Sequence, residues 1–324
     1  MKEVIMNICL TQSRHFSLQE LADGVYAAIA TDGAAAICNA GLIDLGSEVV
    51  IYDTFLTPIA ANDLLQSARS LFGRKKLIVV NSHFHNDHTW GNQVFANKSW
   101  MVSSSHTREL MAENCPQEVE WFKANLDRRV AEYQNKLSSA NEDQRDSILL
   151  MLGEYQGLQD ALPHFRLCLP AITFDQKMEF HGAKRIAELI NFENGHTRCD
   201  TVLYLPGDGI LFLSDLLFVG CHPYLGDGNP QGLQSALRKL IRMQAEYYIP
   251  GHGPVGTKDD VQKMVEYIDD CVDIASSLVR GGGNYEEGIA SLEIPQAYQR
   301  WKISWFFPEN IRFLCNQMTV QKEK

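Results

Sequence analysis

The stretch HFHNDH sets His83, His85, Asp87 and His88 at the end of a short apolar run, KLIVVNSH (76–83). In an extended strand end, residues two apart point the same way, so His83 and His85 converge on one point. The Asn86-Asp87-His88 turn then swings a carboxylate and a third imidazole toward a neighbouring point. Imidazole and carboxylate together suit zinc, iron or manganese, and no thiolate stands in the pattern to favour a purely structural zinc site. With residues drawn at random, fewer than about 10⁻³ matches to HxHxDH are expected in a chain of this composition. Two further histidines sit in loops after apolar runs, His196 in ENGHTRCDTV and His252 in IPGHGPVG. Asp215 ends the run ILFLSD. Half of the ten histidines therefore join one constellation.

Strands and helices must carry these residues to one place. Apolar, partly β-branched runs at 25–30, 34–45 and 48–54 read as strands separated by Asp-Gly and Gly-Ser turns. The spacing predicts a helix over 61–72, with Leu64, Leu65, Ala68, Leu71 and Phe72 on one face, before the buried strand at 76–83. Between about 105 and 162 lie two helical stripes, one from Val119 to Leu137 and one from Ile148 to Leu162, broken at SSANED (138–143). Pro116 is suited to a helix start, where its missing N–H costs nothing. His106 reads as a cap or a core contact. This inserted helical hairpin is either packed scaffold and dimer contact or a lid over a site. Strand character returns at 171–180 and 184–192. Residues 201–215 form two apolar runs joined by Pro-Gly-Asp-Gly, a hairpin signal. A helix at 233–245, a strand at 245–253 and an amphipathic helix from Val261 to Val279, stopped by Gly281–Gly283, complete a layered α/β chain. The aromatic tail WKISWFFPEN is expected to pack against the body.

Composition limits the function. The 324 residues carry 29 basic and 40 acidic side chains, a net charge of −11, which disfavours long nucleic acid and anionic membranes as partners. No run reaches the roughly 18 apolar residues of a membrane span. MKEVIMNICL lacks the apolar run and small-residue cleavage site of a leader, so a cytoplasmic location is expected. The eight cysteines are scattered without a CxxC pair and read as reduced core thiols.

Over roughly 20–256 the chain resembles the metallo-β-lactamase-fold metallohydrolases: HFHNDH for the HxHxDH motif, Gly195-His196-Thr197, the acid Asp215, and His252 in the PGHG loop. The resemblance implies an α/β fold of four layers, an αββα sandwich with its site at one edge. It implies two divalent ions, Zn²⁺ first with Mn²⁺ or Fe²⁺ as alternatives. His83, His85 and His196 would hold the first, Asp87, His88 and His252 the second, and Asp215 would bridge them. Asp87 and Asp215 are the catalytic candidates, since both would fix a water between the ions whose pKa is lowered to near neutrality. β-Lactamases of the zinc-Cys-His type have cysteine where this chain has Asp215. An aspartate there is the glyoxalase II-like pattern, so β-lactam hydrolysis is not the expected native reaction. Cys199 and Cys221 are not read as ligands, because the strand-end position is already filled.

The expected function is hydrolysis of an ester, thioester, lactone or amide of small size. A phosphodiesterase or nuclease is the alternative, as is a mononuclear iron dioxygenase of sulfur compounds. Two-iron, flavin-linked members usually carry glutamate where this chain has His85. Asp53, and Thr197 or Asp200, are candidates to orient a metal-binding histidine. His222 and Tyr224, in the loop CHPYLGDG, are candidates to face substrate. Because residues 83–252 must meet at one point, a single domain over 1–324 is expected, with a helical insertion at about 105–162 and a C-terminal extension at about 257–324. The hairpin and the aromatic tail are the candidate surfaces for a homo-oligomer.

Overall fold

Alternate residues of the apolar strands enter different cores, and this stacks two sheets with helices outside both. The computed structural model describes residues 13–282 and 284–322. The stretch read for a leader, with Cys9, and Gly283 lie outside these residues. The first sheet runs β1 (Phe16–Ala22), β2 (Val25–Ala30), β3 (Ala40–Asp44), β4 (Glu48–Tyr52), β5 (Lys76–Val80), β6 (Ser99–Ser104) and β7 (Ile172–Phe174), in that spatial order. Pairing is antiparallel from β1 to β4 and parallel from β4 to β7. The second sheet contains β8 (Lys177–His181), β9 (Ile186–Glu193), β10 (Cys199–Leu205), β11 (Ile210–Phe218) and β12 (Tyr247–His252), ordered β12-β11-β10-β9-β8. Within it only β11 and β12 are parallel.

In β4, Val50 and Tyr52 face the second sheet and meet Leu203, Leu205, Ile210 and Phe212 in the core between the sheets. Val49 and Ile51 point the other way, onto Ala60, Ala61, Leu64 and Leu65 of α1 (Pro58–Phe72). β11 does the same, with Leu211 and Leu213 turned outward toward α6 (Pro230–Leu240), α7 (Lys258–Arg280) and α9 (Phe306–Lys322). The result is the expected αββα sandwich. The period-2 pattern fixes each face, because a one-residue slip would exchange the two cores. The aromatic tail behaves as expected: Trp301, Trp305, Phe306 and Phe307 pack into the outer core. Among the described residues no helix is long and apolar enough to cross a membrane.

Several boundaries differ from the sequence expectation. The run 34–45 is strand only from Ala40. Before it the backbone bonds elsewhere: Ala35 N–H donates to His15 Nδ1, and Leu56 N–H to Ala36. The run 171–180 is two strands in different sheets, since β7 pairs with β6 and β8 with β9. β1 and β6 also escaped the sequence reading. The insertion is a hairpin of α4 (Ser105–Ser139) and α5 (Glu142–Ala161), as expected, yet Pro116 lies inside α4 rather than at its start. Ser104 caps that helix by accepting the Thr107 N–H at 3.0 Å, while His106 is exposed. The short helices α2 (Asn86–Thr89) and α3 (Asn92–Phe95) follow β5, and α8 (Tyr285–Ala290) precedes α9.

The hairpin docks beside the end of β5. Trp90 is 3% exposed and packs on Phe122 of α4 and on Phe165. Gly153 of α5 lies so close to the Gly33 backbone that a Cβ there would collide with it.

Candidate metal centre

The carboxyl ends of the parallel strands β4 and β5 open onto one edge of the sandwich, the usual position for ligands in such sheets. Asp53 follows β4, at φ +61° and fully buried. Its Oδ1 accepts the Ser82 N–H at 2.8 Å, and its Oδ2 accepts the Ser82 and Ser214 hydroxyls at 2.8 and 3.0 Å. Oδ2 also lies 2.8 Å from His88 Nδ1. Asp53 thereby holds the His88 ring through Nδ1. Reciprocal side-chain hydrogen bonds between Asn81 and Asn92, at 3.0 and 2.8 Å, hold α3 against the end of β5.

Asp215 comes from the second sheet. The pairing of β11 with β12 shifts register at Ser214, whose φ is +49°. Such a bulge re-aims a side chain. Ser214 Oγ bonds Asp53 while Asp215 next to it also enters the cluster. A Cβ at Gly251 would occupy the space of the Asp215 carboxylate, so the PGHG loop needs its glycine. Asn39 anchors that loop, donating through Nδ2 to Pro250 at 2.9 Å and to Gly253 at 2.8 Å.

The structure brings all seven predicted ligand residues together. Asp215 Oδ2 lies 3.2 Å from His196 Nε2 and 3.8 Å from His83 Nε2. Asp215 Oδ1 lies 3.1 Å from His88 Nε2 and 3.4 Å from His252 Nε2. Asp87 Oδ2 closes the second group at 3.3 Å from His252 and 3.4 Å from His88. His196 Nε2 and His85 Nδ1 face each other at 3.1 Å. His83, His85, His196 and Asp215 present ligand atoms within 4.8 Å of one another, and so do His88, Asp215 and His252. His83 Nε2, His88 Nε2 and Asp215 Oδ1 are buried without a hydrogen-bond partner among the described residues. Buried polar atoms are seldom left so. Imidazoles and carboxylates aimed at two common points fit two divalent cations.

Charge in the cluster follows from burial and proximity. Burial, then the neighbouring His88 and His85, hold His83 well below the usual histidine range. Burial pushes His196 down to about 4. Burial acts against charge on His252, yet Asp215 and Asp87 raise it to about 10. Burial also works against ionised Asp215 and Asp87, but the facing histidines hold both well below the carboxylate range.

Thr197 and Asp200 brace the turn that carries His196. Thr197 donates to Asp200 from its N–H at 3.0 Å and its hydroxyl at 2.8 Å. Tyr224 stands at the mouth, its ring 6.3 Å from that of His85. His222 does not face substrate. It is fully buried among Tyr267, Trp301 and Phe307, with Nδ1 3.1 Å from the Tyr267 hydroxyl. The aromatic tail closes over it, an effect invisible in the local sequence. Cys199 bonds Ser104 and Asn191, and Cys221 makes only long contacts to backbone carbonyls.

Burial drives the His222 imidazole down to about 4. A histidine depressed in the folded state stabilises above its unfolded pKa and loses that contribution as pH falls toward the folded one. His222 should therefore cost about 3 kcal/mol of stability between pH 6.5 and 4. Denaturant titrations at both ends of this window should show a smaller acid loss in His222→Phe. An equal loss in both proteins would refute the assignment.

The sequence reading missed four residues at the site. Asp227 Oδ2 lies 3.0 Å from His85 Nε2 and turns Nδ1 toward His196. Its signal was only an acid in the loop after Asp215. Glu118 of α4 and Glu154 of α5 enter from the hairpin. Both carboxyls are raised by burial, Glu154 to about 8, and both sense Asp87. Neither makes a hydrogen bond or an ion pair among the described residues, in contrast to Asp227. The fourth, Cys38, lies beneath Asp87 and donates its thiol hydrogen to the Asp87 carbonyl at 2.9 Å. The hairpin thus brings two acidic side chains within electrostatic reach of Asp87.

The chain belongs to the metallo-beta-lactamase superfamily, whose sequence profile matches residues 33–252. Family membership implies divalent-metal binding, and the structure presents a His/Asp cluster that could hold metal. Among solved structures, the stereoselective inverting sec-alkylsulfatase Pisa1 from Pseudomonas sp. is 18% identical, with a TM-score of 0.68. The alignment covers 93% of this chain and 50% of the sulfatase. A metallo-beta-lactamase from Pontibacter korlensis is 17% identical over 78% of this chain and 99% of its own, with a TM-score of 0.57. A Hirschia baltica metallo-beta-lactamase is 13% identical over 78% and 97%, with a TM-score of 0.56. At these identities the likeness is one of fold. No curated protein matches the chain.

Proposed function

We propose that this protein is a hydrolase that cleaves an ester, thioester, lactone or amide of a small neutral or cationic substrate with two divalent cations, zinc first. One observation carries the reading: the two oxygens of Asp215 face different histidine groups, as a carboxylate shared by two cations requires. Two cations held there supply Lewis acidity and a water-derived nucleophile at neutral pH. The chain's own residues set the geometry. Asp53 fixes His88 and Asp227 fixes His85, each through the ring nitrogen turned away from the cluster. Partners of this kind commonly contribute 10–100-fold in metal affinity or activity. The hairpin and Tyr224 wall the approach. Because its ligand residues span 83 to 252, the reading treats the chain as one catalytic unit.

Asp227, kept ionised by His85, argues for the substrate's charge, and Glu154 joins it once it ionises above about pH 8. An anionic substrate such as an alkyl sulfate or a phosphodiester approaches against Asp227, and above about pH 8 against Glu154 as well, and like charges in a partly buried cleft repel. The net charge of −11 acts in the same direction. Metal analysis of protein purified without added metal should find close to two zinc ions per chain. A panel of thioesters, lactones, amides, phosphodiesters and sulfates should show turnover concentrated in the neutral and cationic acyl compounds. One iron per chain with oxygen consumption on a persulfide would overturn the reading, as would preferred phosphodiester cleavage. At pH 9, where Glu154 is ionised, replacing Glu118 and Glu154 together by Gln should improve kcat/KM for an anionic ester over its neutral isostere about tenfold, a step of about 1.4 kcal/mol. An unchanged ratio would remove the charge argument.

A further inference from the structure

Cys38 lies in the loop between β2 and β3, forty-nine residues before Asp87 and outside every motif that pointed to the site. Its side chain is fully buried. The Cys38 sulfur, a carboxylate oxygen of Asp87 and a ring nitrogen of His88 lie within 4.8 Å of one another. The second indication comes from His88. Its Nδ1 is held by Asp53, while Nε2, equally buried, has no hydrogen-bond partner among the described residues and lies between Asp87 at 3.4 Å and Asp215 at 3.1 Å. Thiol, carboxylate and imidazole therefore surround one position.

We propose that Cys38 is a thiolate donor to the second cation, completing a Cys38–Asp87–His88 group that selects thiophilic ions. The thiol's bond to the Asp87 carbonyl is weak, since S–H is a poor donor, so little is lost when its proton leaves. On coordination the S–H bond breaks, a sulfur–metal bond forms, and the proton passes to bulk solvent. A soft sulfur donor favours Zn²⁺ and Cd²⁺ over Mn²⁺, which prefers oxygen. The site would then combine an all-nitrogen-and-oxygen first group with a sulfur-bearing second group.

The inference rests on the two-cation reading, and its test separates the two. The full chain is loaded with Co²⁺ alone, with metal content measured beside the absorption spectrum. Two Co²⁺ per chain with a near-ultraviolet thiolate-to-cobalt charge-transfer band are expected. The band should vanish in Cys38→Ser and persist in Cys221→Ser, the control that removes a different buried thiol and leaves Cys38 in place. Cys38→Ser should also lower the preference for Cd²⁺ over Mn²⁺ at least tenfold. Two bound Co²⁺ without the band, or a band that survives Cys38→Ser, overturns the proposal while leaving the two-cation reading intact. Failure to bind two Co²⁺ at all overturns both. The spectrum of the unmutated chain is decisive by itself even where Cys38→Ser folds poorly.

Discussion

Replacing Asp215 by alanine should reduce kcat/KM at least about 10³-fold, roughly 4 kcal/mol of transition-state stabilisation. Four contacts explain the size of this effect. Asp215 alone touches both groups of the cluster, through Oδ2 toward His83 and His196 and through Oδ1 toward His88 and His252. Its removal leaves those four imidazoles converging on a position with no bridging charge. It also empties the space that Gly251 keeps clear and that the bulge at Ser214 serves. Steady-state kinetics on the best panel substrate, with metal content measured on the same sample, tests this. Metal should fall below two per chain. Asp215→Asn keeps the shape and removes the charge, so it should lose nearly as much. Retention of a tenth of the activity with two bound ions would show that Asp215 is not the bridge.

Zinc loading should raise the melting temperature of the chelated chain by on the order of 5–10 °C. A cation that binds only the folded chain at about 1,000 times its Kd contributes roughly 4 kcal/mol. In a chain of this size each kcal/mol is worth about 2 °C or less. The sign of the pH dependence follows from His252. Without metal its pKa is raised to about 10 by Asp215 and Asp87, so the pair stabilises the fold fully below about 6.5 and loses that contribution as pH rises through 10. A bound cation displaces this proton, and the difference between loaded and chelated protein should therefore widen from pH 7 to pH 9. Calorimetric melts of both forms across this range provide the measurement. A constant or narrowing gap would show that His252 is not deprotonated on binding.

Much of the site was legible because its chemistry is local. Three imidazoles and a carboxylate within six residues leave little room for accident, and an apolar strand before them sets their direction. His196, Asp215 and His252 were readable for a related reason, as polar residues at the ends of apolar runs. His222 met the same description and was read toward substrate. What separates it from the others is the C-terminal aromatic cluster of Trp301 and Phe307, some eighty residues away, which no local pattern reveals. Pro116 shows the same limit, since a proline suited to starting a helix stands inside one whose true start is capped by Ser104.

Residue type and spacing pointed to the clustered imidazoles and carboxylates, a layered α/β chain and the inserted hairpin, because ligand chemistry and the periods of strand and helix are properties of short segments; the four-layer sandwich came from the family resemblance those motifs carry. Tertiary structure alone decided which atoms complete the site. Asp227 on His85, Glu118 and Glu154 from the hairpin, Asn39 beneath the PGHG loop and Cys38 beneath Asp87 arrive from separate elements. Their proximity is created by the stacking of two sheets and the docking of Trp90. Contacts between residues dozens of positions apart depend on how whole faces pack, and that information is spread over the chain rather than written at any one position.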